Sequence, residues 1–318
     1  MSRLLERIEF RAVGTTCAAA VTAGPSDRLR AKEALHAARQ EVAACEDALS
    51  RFDQRSDLSR LNAAGGEWTP VDGRLLEALE LALRARDDTG GLFDPTILPA
   101  LAAAGYDRSF ELVEHRAPAR PIGWRAGAAI ELDGDAGRAR LERGAAVDLG
   151  GIGKGYAAGR ALDAMRRAWP QMPGGLVDLG GDLALWGEPP ESGPWRIAVV
   201  DPRSPGKSAG TLLLRSGGVA TSGRDVRRFG PGRSLHHLID PATGEPAVQG
   251  PLAVTVVGRD PVEAEAHATV LGILPAREAA VHIAARPHLA AVYIASEGPP
   301  HRLGTPPLAT SRYLVRAA

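Results

Sequence analysis

The amino-acid sequence predicts an α+β fold in one compact domain over residues 1–318, with a mixed or antiparallel sheet and N-terminal helices. Three observations favour this class. Long helical patterns occupy the first part of the chain, and short strand patterns separated by turns occupy the part after Trp169. Between them, a glycine-rich loop leads into a helix. No linker, repeat or low-complexity tract divides the chain, so a second domain is not expected.

The chain opens with a predicted β-hairpin. Apolar and polar residues alternate around residues 8–12 and 17–22, and Val13-Gly14-Thr15 between them is typical of a turn. A long helical pattern follows from residue 25 to about 51, with Ser26 as the predicted N-cap. We expect this helix to pack on the sheet.

The next part of the chain combines helices with a polar loop. Residues 50–62 form the predicted loop, and a second helix covers roughly residues 73–88 before Gly90-Gly91 closes it. A short helix is expected near residues 98–104. Two β-patterned runs within residues 128–148 then lead to the glycine loop.

After the glycine loop, one helix ends near Trp169 and a meandering antiparallel sheet is predicted. Its strands are expected at residues 176–179, 195–200, 211–214, 235–239, 253–257 and 289–295. Helix returns only near residues 261–274 and again after Pro275. This order differs from the regular strand–helix–strand repeat of parallel dinucleotide-binding sheets.

Composition narrows the class of partner. Lys plus Arg and Asp plus Glu both total 38, so there is no basic field for nucleic acid. No run approaches the roughly 20 apolar residues of a membrane span, so membrane insertion is not expected. Charges interrupt residues 1–10, where a signal peptide needs an apolar core, which predicts a cytoplasmic protein. Cys17 and Cys45 are expected to be buried free thiols.

The most informative stretch is Asp148-Leu-Gly-Gly-Ile-Gly-Lys-Gly-Tyr156, which enters a helix-forming run at Ala157. Glycines let the backbone approach an anion, a helix N-terminus offers unpaired N–H groups, and Lys154 adds a full positive charge. The stretch therefore predicts a bound phosphate, and it suggests a nucleotide ligand.

Of two known phosphate-binding motifs, one is excluded by this stretch and one fits it. A P-loop is excluded, because Asp148 and Gly155 stand where that motif requires Gly and Ser or Thr. A dinucleotide fingerprint fits residues 153–158, with Asp178 following at about 20 residues, and it stays open at this point. A flexible turn before a helix is the alternative without a ligand.

Further motifs follow the loop in a recognisable order. They are Gly180-Gly181-Asp182, Thr221-Ser222-Gly223, His236-His237-Leu-Ile-Asp-Pro241-Ala-Thr-Gly244 and Ala264-Glu-Ala-His-Ala-Thr269. Together with the glycine loop, the series closely resembles the ApbE-like flavin transferases, the FAD:protein FMN transferases. Other stretches are similar to the N-terminal motifs of that family, namely Val13-Gly-Thr15, Ser50-Arg-Phe52, Ser59-Arg-Leu-Asn62 and Thr89-Gly-Gly-Leu-Phe-Asp94. The resemblance covers nearly the whole chain.

The resemblance implies an ApbE-like fold and a Mg²⁺-dependent enzyme with FAD as its substrate. Such an enzyme transfers FMN through its phosphate to a Ser or Thr hydroxyl of a target protein and releases AMP. The expected partner is an acceptor flavoprotein with an FMN-binding-type domain.

The resemblance also implies roles for individual residues. His237 and Glu265 are the expected catalytic residues, and the expected metal ligands are Glu265, Thr269 and a backbone oxygen at Gly151. The expected FAD-binding residues are Phe52, Leu92, Phe93, Asp94, Asp148, Lys154, Thr221, Ser222 and Ile239.

The metal pair can be checked against helix geometry. Glu265 and Thr269 are four residues apart, so on a helix their side chains share one face and can converge on one ion. The family usually has Asp at the position of Glu265, so this carboxylate is one methylene longer. His267 is two residues further on and turns away from that face, which predicts a packing or surface role.

Each of these residues has a purely structural alternative. Asp148 is a possible N-cap of the following helix, Lys154 a solvated side chain, and His237 a buried histidine with satisfied hydrogen bonds. Phe52 suits core packing as well as stacking on FAD, and Asp94 before Pro95 suits a turn. Thr221 and Ser222 are expected in a loop and suit hydrogen bonding in any role. Asp182 and Asp240 are similarly ambiguous.

Three other functions compete with flavin transfer. A FAD pyrophosphatase would use water at the same site and give FMN and AMP. A FAD-binding protein without catalysis is the alternative that the change at Glu265 keeps open. A NAD-dependent oxidoreductase fits the glycine fingerprint but leaves the His, Thr-Ser-Gly and Glu-Thr motifs unexplained.

Overall fold

Helices and strands are interleaved along the computed structural model, which describes residues 3–113, 118–119, 123–204, 206–225 and 227–304. The helices are α1 (Arg28–Leu49), α2 (Asp57–Ala63), α3 (Gly73–Asp88), α4 (Leu98–Ala104), α5 (Gly153–Ala168), α6 (Pro261–Ile273) and α7 (Ala276–Ala284). The strands are β1 (Leu4–Ala12), β2 (Thr15–Ala23), β3 (Thr69–Pro70), β4 (Ile130–Asp133), β5 (Arg138–Leu141), β6 (Gly174–Leu179), β7 (Leu183–Gly187), β8 (Trp195–Val200), β9 (Ser208–Leu214), β10 (Ser216–Gly223), β11 (Arg228–Phe229), β12 (Leu235–His236), β13 (Ile239–Asp240), β14 (Glu245–Pro246), β15 (Ala253–Gly258), β16 (Ala290–Ile294) and β17 (His301–Leu303).

The main sheet has eight strands in the order β1-β2-β6-β7-β10-β15-β16-β17. Every neighbouring pair in it is antiparallel. The predicted N-terminal hairpin is present, with Leu4 opposite Ala23 and Ala12 opposite Thr15. An antiparallel sheet of this order confirms the α+β prediction and is incompatible with the parallel sheet of a dinucleotide-binding fold.

Helices cover one face of this sheet. Alanines of α1, among them Ala34 and Ala38, share one core with Ala157, Ala158 and Ala161 of α5. Small side chains at these buried positions let the two helices approach closely, and α6 packs next to α5 in the same core. The chain thereby forms a single compact domain of mixed helix and sheet.

The β8–β9 hairpin lies against the other face. Leu183 and Leu185 of β7 belong to a second core with Trp195, whereas Ala184 between them faces the helical core. Successive residues of a strand point to opposite faces, so the central strands are apolar on both sides. The sheet is therefore the middle layer between helices and a hairpin.

The start of α1 and the segment after it differ from the prediction. Residues Pro25–Asp27 form a 3₁₀ turn, in which the Asp27 carboxylate accepts the Gly24 N–H at 3.2 Å, and Ser26 is not the N-cap. The predicted loop 50–62 contains α2, whose N-cap Ser56 accepts the Ser59 N–H at 3.0 Å. This short helix buries Leu58 and Leu61.

Three further predictions are wrong. The helix after the glycine loop begins at Gly153 and not at Ala157, since helical geometry already includes two of the glycines. Thr221 and Ser222 lie in β10 and not in a loop. The single strand predicted at residues 235–239 is two short strands, because the chain changes from β11 to β14 as its pairing partner.

Both cysteines are buried free thiols, as predicted, and burial raises the pKa of Cys17 to about 11 and of Cys45 to about 12. Within the described residues, none of the helices has both the length and the apolar character that crossing a membrane requires.

A partly buried polar cluster joins the ends of α3 and α7 to the middle of α6. His267 Nδ1 lies 3.0 Å from His282 Nε2 on α7, and His267 Nε2 lies 3.4 Å from the Asp88 carboxylate at the end of α3. Arg286 donates to the same carboxylate at 3.1 Å. Burial is the main cause that lowers the pKa of both histidines to about 4. His267 therefore has a packing role, as predicted.

The cluster predicts that stability falls when the pH is lowered from about 6.5 to about 4. In this window His282 binds a proton in the unfolded chain but not in the folded one, so the free energy of unfolding rises with pH and its full value is present above about 6.5. The shift of His282 corresponds to about 3 kcal/mol at most. Urea unfolding of His282→Gln between pH 7 and 4.5 should show a flatter decline than wild type.

His36→Gln is the control for this measurement, because His36 is exposed on α1. It should keep the wild-type pH dependence. If both variants decline as steeply as wild type, His282 is not the group that titrates.

Candidate active site

A cavity of about 1000 Å³ lies beside the glycine loop and α6. Its wall contains every site residue predicted from the sequence, although these residues come from distant parts of the chain. They are Phe52, Leu92, Phe93, Asp94, Asp148, Gly151, Lys154, Thr221, Ser222, His237, Ile239, Glu265 and Thr269. The structure thus brings them together, and their individual roles stay predictions.

The N-terminus of α5 meets α6 at Gly155. A Cβ atom at this position would lie 2.3 Å from the Pro261 carbonyl oxygen, so only glycine permits this contact. The Gly155 N–H donates to Glu265 Oε2 at 2.7 Å. The first turn of a helix has no internal partner for its N–H groups, and here a carboxylate from the neighbouring helix satisfies one of them.

Gly151 has a similar reason to be glycine. A Cβ atom there would lie 2.9 Å from the Phe93 ring and 3.0 Å from Thr269 Oγ1. The Gly151 backbone and the Thr269 hydroxyl are therefore neighbours. Glu265 and Thr269 both lie in α6, one turn apart, as the predicted metal pair requires.

Lys154 lies between two buried carboxylates. Its ammonium forms an ion pair with Asp182, and it is 3.7 Å from Glu265 Oε1. Burial lowers the pKa of Lys154, but the two carboxylates outweigh burial and the pKa is raised overall. Asp182 also accepts the Thr221 N–H at 3.2 Å, so β10 is tied to the same cluster.

The same balance of burial and charge acts on the carboxylates. Burial raises the pKa of Glu265 to about 8, with a further contribution from the negative charge of Asp182 that the positive charge of Lys154 opposes. Burial likewise raises the pKa of Asp182. Negative charge at this point is therefore only partly compensated by the protein.

The residues at this point fit a Mg²⁺ ion. Glu265 Oε1 is buried and has no hydrogen-bond partner in the described part of the chain, which is a costly arrangement unless a cation uses it. The Thr269 hydroxyl and the Gly151 backbone add oxygen donors beside it. No group of three or more His, Cys, Asp and Glu side chains suited to a metal occurs among the described residues. Mg²⁺ typically uses one or two carboxylates and completes its shell with water and substrate phosphate.

Asp148 holds the start of the glycine loop. One carboxylate oxygen is 2.5 Å from Arg51 Nε, and the other accepts the Gly150 N–H at 2.8 Å. Asp148 lies five residues before Gly153, the first residue of α5, and its carboxylate accepts no capping hydrogen bond from that helix, which excludes the N-cap alternative. The Arg51 guanidinium itself lies 4.2 Å from the centre of the Phe52 ring and 4.8 Å from that of Tyr106.

The predicted FAD-binding residues of the apolar cavity wall differ in their exposure and in their bonding. Phe52 is 45% exposed, so it is not a core residue and its ring is accessible from the cavity. Phe93 and Ile239 are buried, and Leu92 is partly buried. The Asp94 carboxylate accepts the Thr96 N–H at 2.8 Å and the Gly127 N–H at 2.7 Å, so its oxygens stabilise the turn at the cavity wall.

The two adjacent histidines have different environments. His236 Nε2 is 2.8 Å from the Ala247 carbonyl oxygen, and its Nδ1 accepts the Leu238 N–H at 3.3 Å, so it is structural. His237 lines the cavity, and its buried Nδ1 has no hydrogen-bond partner among the described residues. Burial, with the nearby charge of Arg227, lowers the pKa of His237 to about 3. His237 is therefore neutral near neutral pH.

Among the cavity residues that were not predicted as site residues, Asp182, Arg51 and Arg227 are charged and lie close to the predicted ones. Asp182 was left ambiguous, although its Gly-Gly-Asp motif was noticed, and Arg51 was seen only as part of a motif. Arg227 carried no sequence signal beyond its charge. Each interacts with residues far away in the sequence, so only the folded chain reveals its position.

Taken together, fold and cavity define a mixed α+β protein with a helix N-terminus, a lysine and an unpartnered carboxylate at a large ligand site. The family model described as the ApbE family matches residues 13–293. The chain belongs to the ApbE family.

Relatives with known names agree with this assignment. The chain is 29% identical over 276 residues to a FAD:protein FMN transferase of Klebsiella pneumoniae, which covers 84% of this chain and 78% of the relative. It is 30% identical over 264 residues to a FAD:protein FMN transferase of Treponema pallidum, covering 76% and 72%. The crystal structure of the ApbE protein from Thermotoga maritima has a TM-score of 0.81 and 28% identity, covering 94% of this chain and 97% of that one.

The contact at Gly155 predicts that Gly155→Ala separates α5 from α6. The added methyl group would also lie 3.1 Å from Glu265 Oε2, so the hydrogen bond to that carboxylate should weaken. We expect a loss of about 1–3 kcal/mol in the free energy of unfolding, measured in urea. Gly153→Ala is the matched control, because its Cβ atom would meet only Leu149 Cβ at 3.8 Å. Equal stability of both variants would contradict the proposed reason for glycine at position 155.

The metal assignment predicts that Glu265→Asp keeps or increases Mg²⁺ binding, since Asp is the usual residue of the family at this position. Isothermal calorimetry with Mg²⁺ in the presence of FAD measures this directly. Glu263→Asp on the same helix is the control, because Glu263 instead contacts His288 at 2.8 Å. The assignment is wrong if wild type binds the ion well and Glu265→Asp does not.

Proposed function

We propose that this chain transfers FMN from FAD to a Ser or Thr hydroxyl of a target protein and releases AMP, with Mg²⁺ bound. The observation that supports it most is the convergence of the glycine loop, Glu265, Thr269 and His237 at one cavity. The names of the relatives support FAD as the substrate and a protein as the acceptor. Mg²⁺, the hydroxyl acceptor and AMP are the finer parts of the proposal.

In the proposed reaction the acceptor hydroxyl oxygen forms a bond to the FMN-side phosphorus of FAD. The bond between that phosphorus and the bridging oxygen breaks, and AMP leaves with the bridging oxygen. The hydroxyl proton passes to the unprotonated ring nitrogen of His237. Phosphoryl transfer needs mainly positioning and charge stabilisation, so no covalent intermediate with the enzyme is required.

The helix N-terminus and Lys154 bind the phosphates. The positive end of the α5 dipole favours an anion at this point, even though the N–H groups of Gly153 and Gly155 are already bonded to Leu149 and Glu265. Glu265, Thr269 and the Gly151 backbone would hold Mg²⁺, which supplies charge neutralisation on phosphoryl oxygens. Asp148 fixes the loop through Arg51, so that the backbone N–H groups are oriented before the substrate arrives.

The His237 ring is neutral in the free protein, so it can accept a proton, but its lowered pKa makes it a weak base until negative charge is brought close. Negative charge brought close by FAD favours the protonated ring and so raises the pKa of His237 during the reaction. His237 Nδ1 has no hydrogen-bond partner among the described residues, so a bound acceptor hydroxyl would supply one.

The direct test is incubation with FAD, Mg²⁺ and an acceptor protein with an FMN-binding-type domain. Mass spectrometry should show covalent FMN on one Ser or Thr, and chromatography should show an equal amount of AMP. An acceptor with that residue changed to Ala is the control. FMN and AMP released at the same rate without acceptor would indicate a FAD pyrophosphatase, and tightly bound FAD without AMP would indicate a non-catalytic FAD-binding protein.

His237→Ala should lower the rate of FMN transfer by about 10²-fold or more, which is typical for loss of a general base. The affinity for FAD should change little, because His237 acts on the acceptor hydroxyl. His288→Ala is a control, since His288 contacts Glu263 away from the cavity wall. Transfer at the full rate by His237→Ala would show that this histidine is only structural.

A further inference from the structure

Two side chains that flank the β11–β12 ribbon line the cavity. The antiparallel register of the ribbon places Arg228 opposite His236. Arg227 and His237 are the residues next to this pair, just beyond the ends of the two strands. Arg227 and His237 both line the cavity, whereas Arg228 is exposed and does not.

Arg227 has no carboxylate within ion-pair distance in the part of the chain that the structure describes. Other cationic groups on the cavity wall are already compensated, since Arg51 is paired with Asp148 and Lys154 with Asp182. Arg196 also lines the cavity but is exposed, whereas Arg227 is partly buried. A guanidinium stays protonated in proteins, so this position keeps a full positive charge.

The charge of Arg227 reaches the groups that define the site. After burial, it is the next contribution to the low pKa of His237. It also opposes the upward shift in the pKa of Lys154 and of Glu265. Arg227 is therefore close enough to the centre of the cavity to act on an anion bound there. Planar guanidinium groups bind phosphate oxygens through two parallel N–H bonds, which gives affinity and orientation.

We propose that Arg227 is a further substrate-binding residue, whose guanidinium binds a phosphate oxygen of FAD. This inference rests on the proposed function. The diphosphate would then be bound at two places, by the N-terminus of α5 and by Arg227 beside the β11–β12 ribbon. The phosphate would also lie next to His237, because Arg227 and His237 flank the same end of the ribbon.

The test measures FAD affinity by fluorescence titration without any acceptor protein. Arg227→Gln should raise the Kd for FAD by about 10-fold or more, the typical effect of losing a charge-assisted hydrogen bond. Arg227→Lys should recover only part of the affinity, because it retains the charge but not the planar pair of N–H donors. Arg228→Gln and Arg196→Gln are the matched controls, and each should change the Kd by less than about twofold, since an exposed charge in water contributes little.

Several results would overturn the inference. The first is an unchanged Kd for FAD in Arg227→Gln, and the second is an equal loss of FAD affinity in either control variant. The third is an affinity of Arg227→Lys as low as that of Arg227→Gln, which would indicate that Arg227 acts through packing. Urea unfolding of each variant shows that it is folded, and Arg227→Met replaces Arg227→Gln if the latter is not. Failure of wild type to bind FAD would refute the proposed function itself, which separates the two conclusions.

Discussion

The contact between α5 and α6 at Gly155 is the constraint on which the candidate site depends. Because position 155 has no side chain, the first turn of α5 touches Pro261, and its N–H reaches Glu265. One helix–helix contact thereby places the N-terminus of a helix beside a buried carboxylate. Burying a carboxylate is unfavourable unless it is compensated, and the Gly155 N–H and Lys154 compensate only part of that cost. The geometry of the site is therefore coupled to the packing of the two helices.

The sequence predicted the fold best where the pattern is local. Helices such as α1 and α3 and the hairpin of β1 and β2 have a clear period or turn, so they were predicted with small errors at their ends. Strand β7 was missed, because both of its faces are buried and Leu183, Ala184 and Leu185 show no alternation. The short strands near residues 235–240 depend on which partner each backbone segment pairs with, and no local pattern contains that information.

For the site, the motifs identified the residues, but their partners came only from the fold. The motif around Asp148 did not show that Arg51 holds its carboxylate, since 97 residues of chain separate the two positions. Glycines that suggested close approach of an anion have another reason at positions 151 and 155, where they make room for Thr269 and Pro261. Residues that flank one end of a ribbon, such as Arg227 and His237, have no sequence signature, because their proximity follows from the register of that ribbon.

The charges around the cavity connect the metal with the substrate. Asp182 and Glu265 are buried beside Lys154, so the ionised form of Glu265 would repel an anionic diphosphate at this point. A divalent cation held by Glu265 reverses the local sign, and a diphosphate in turn supplies oxygen ligands that Glu265 and Thr269 alone do not provide. In the proposed site each partner would therefore increase the affinity for the other, and by thermodynamic linkage the two increases would be equal. The raised pKa of Glu265 is consistent with this dependence, because a lone buried carboxylate favours either a proton or a cation. In the proposed reaction, Mg²⁺ and FAD are thus bound cooperatively at a site that neither the glycine loop nor α6 forms alone.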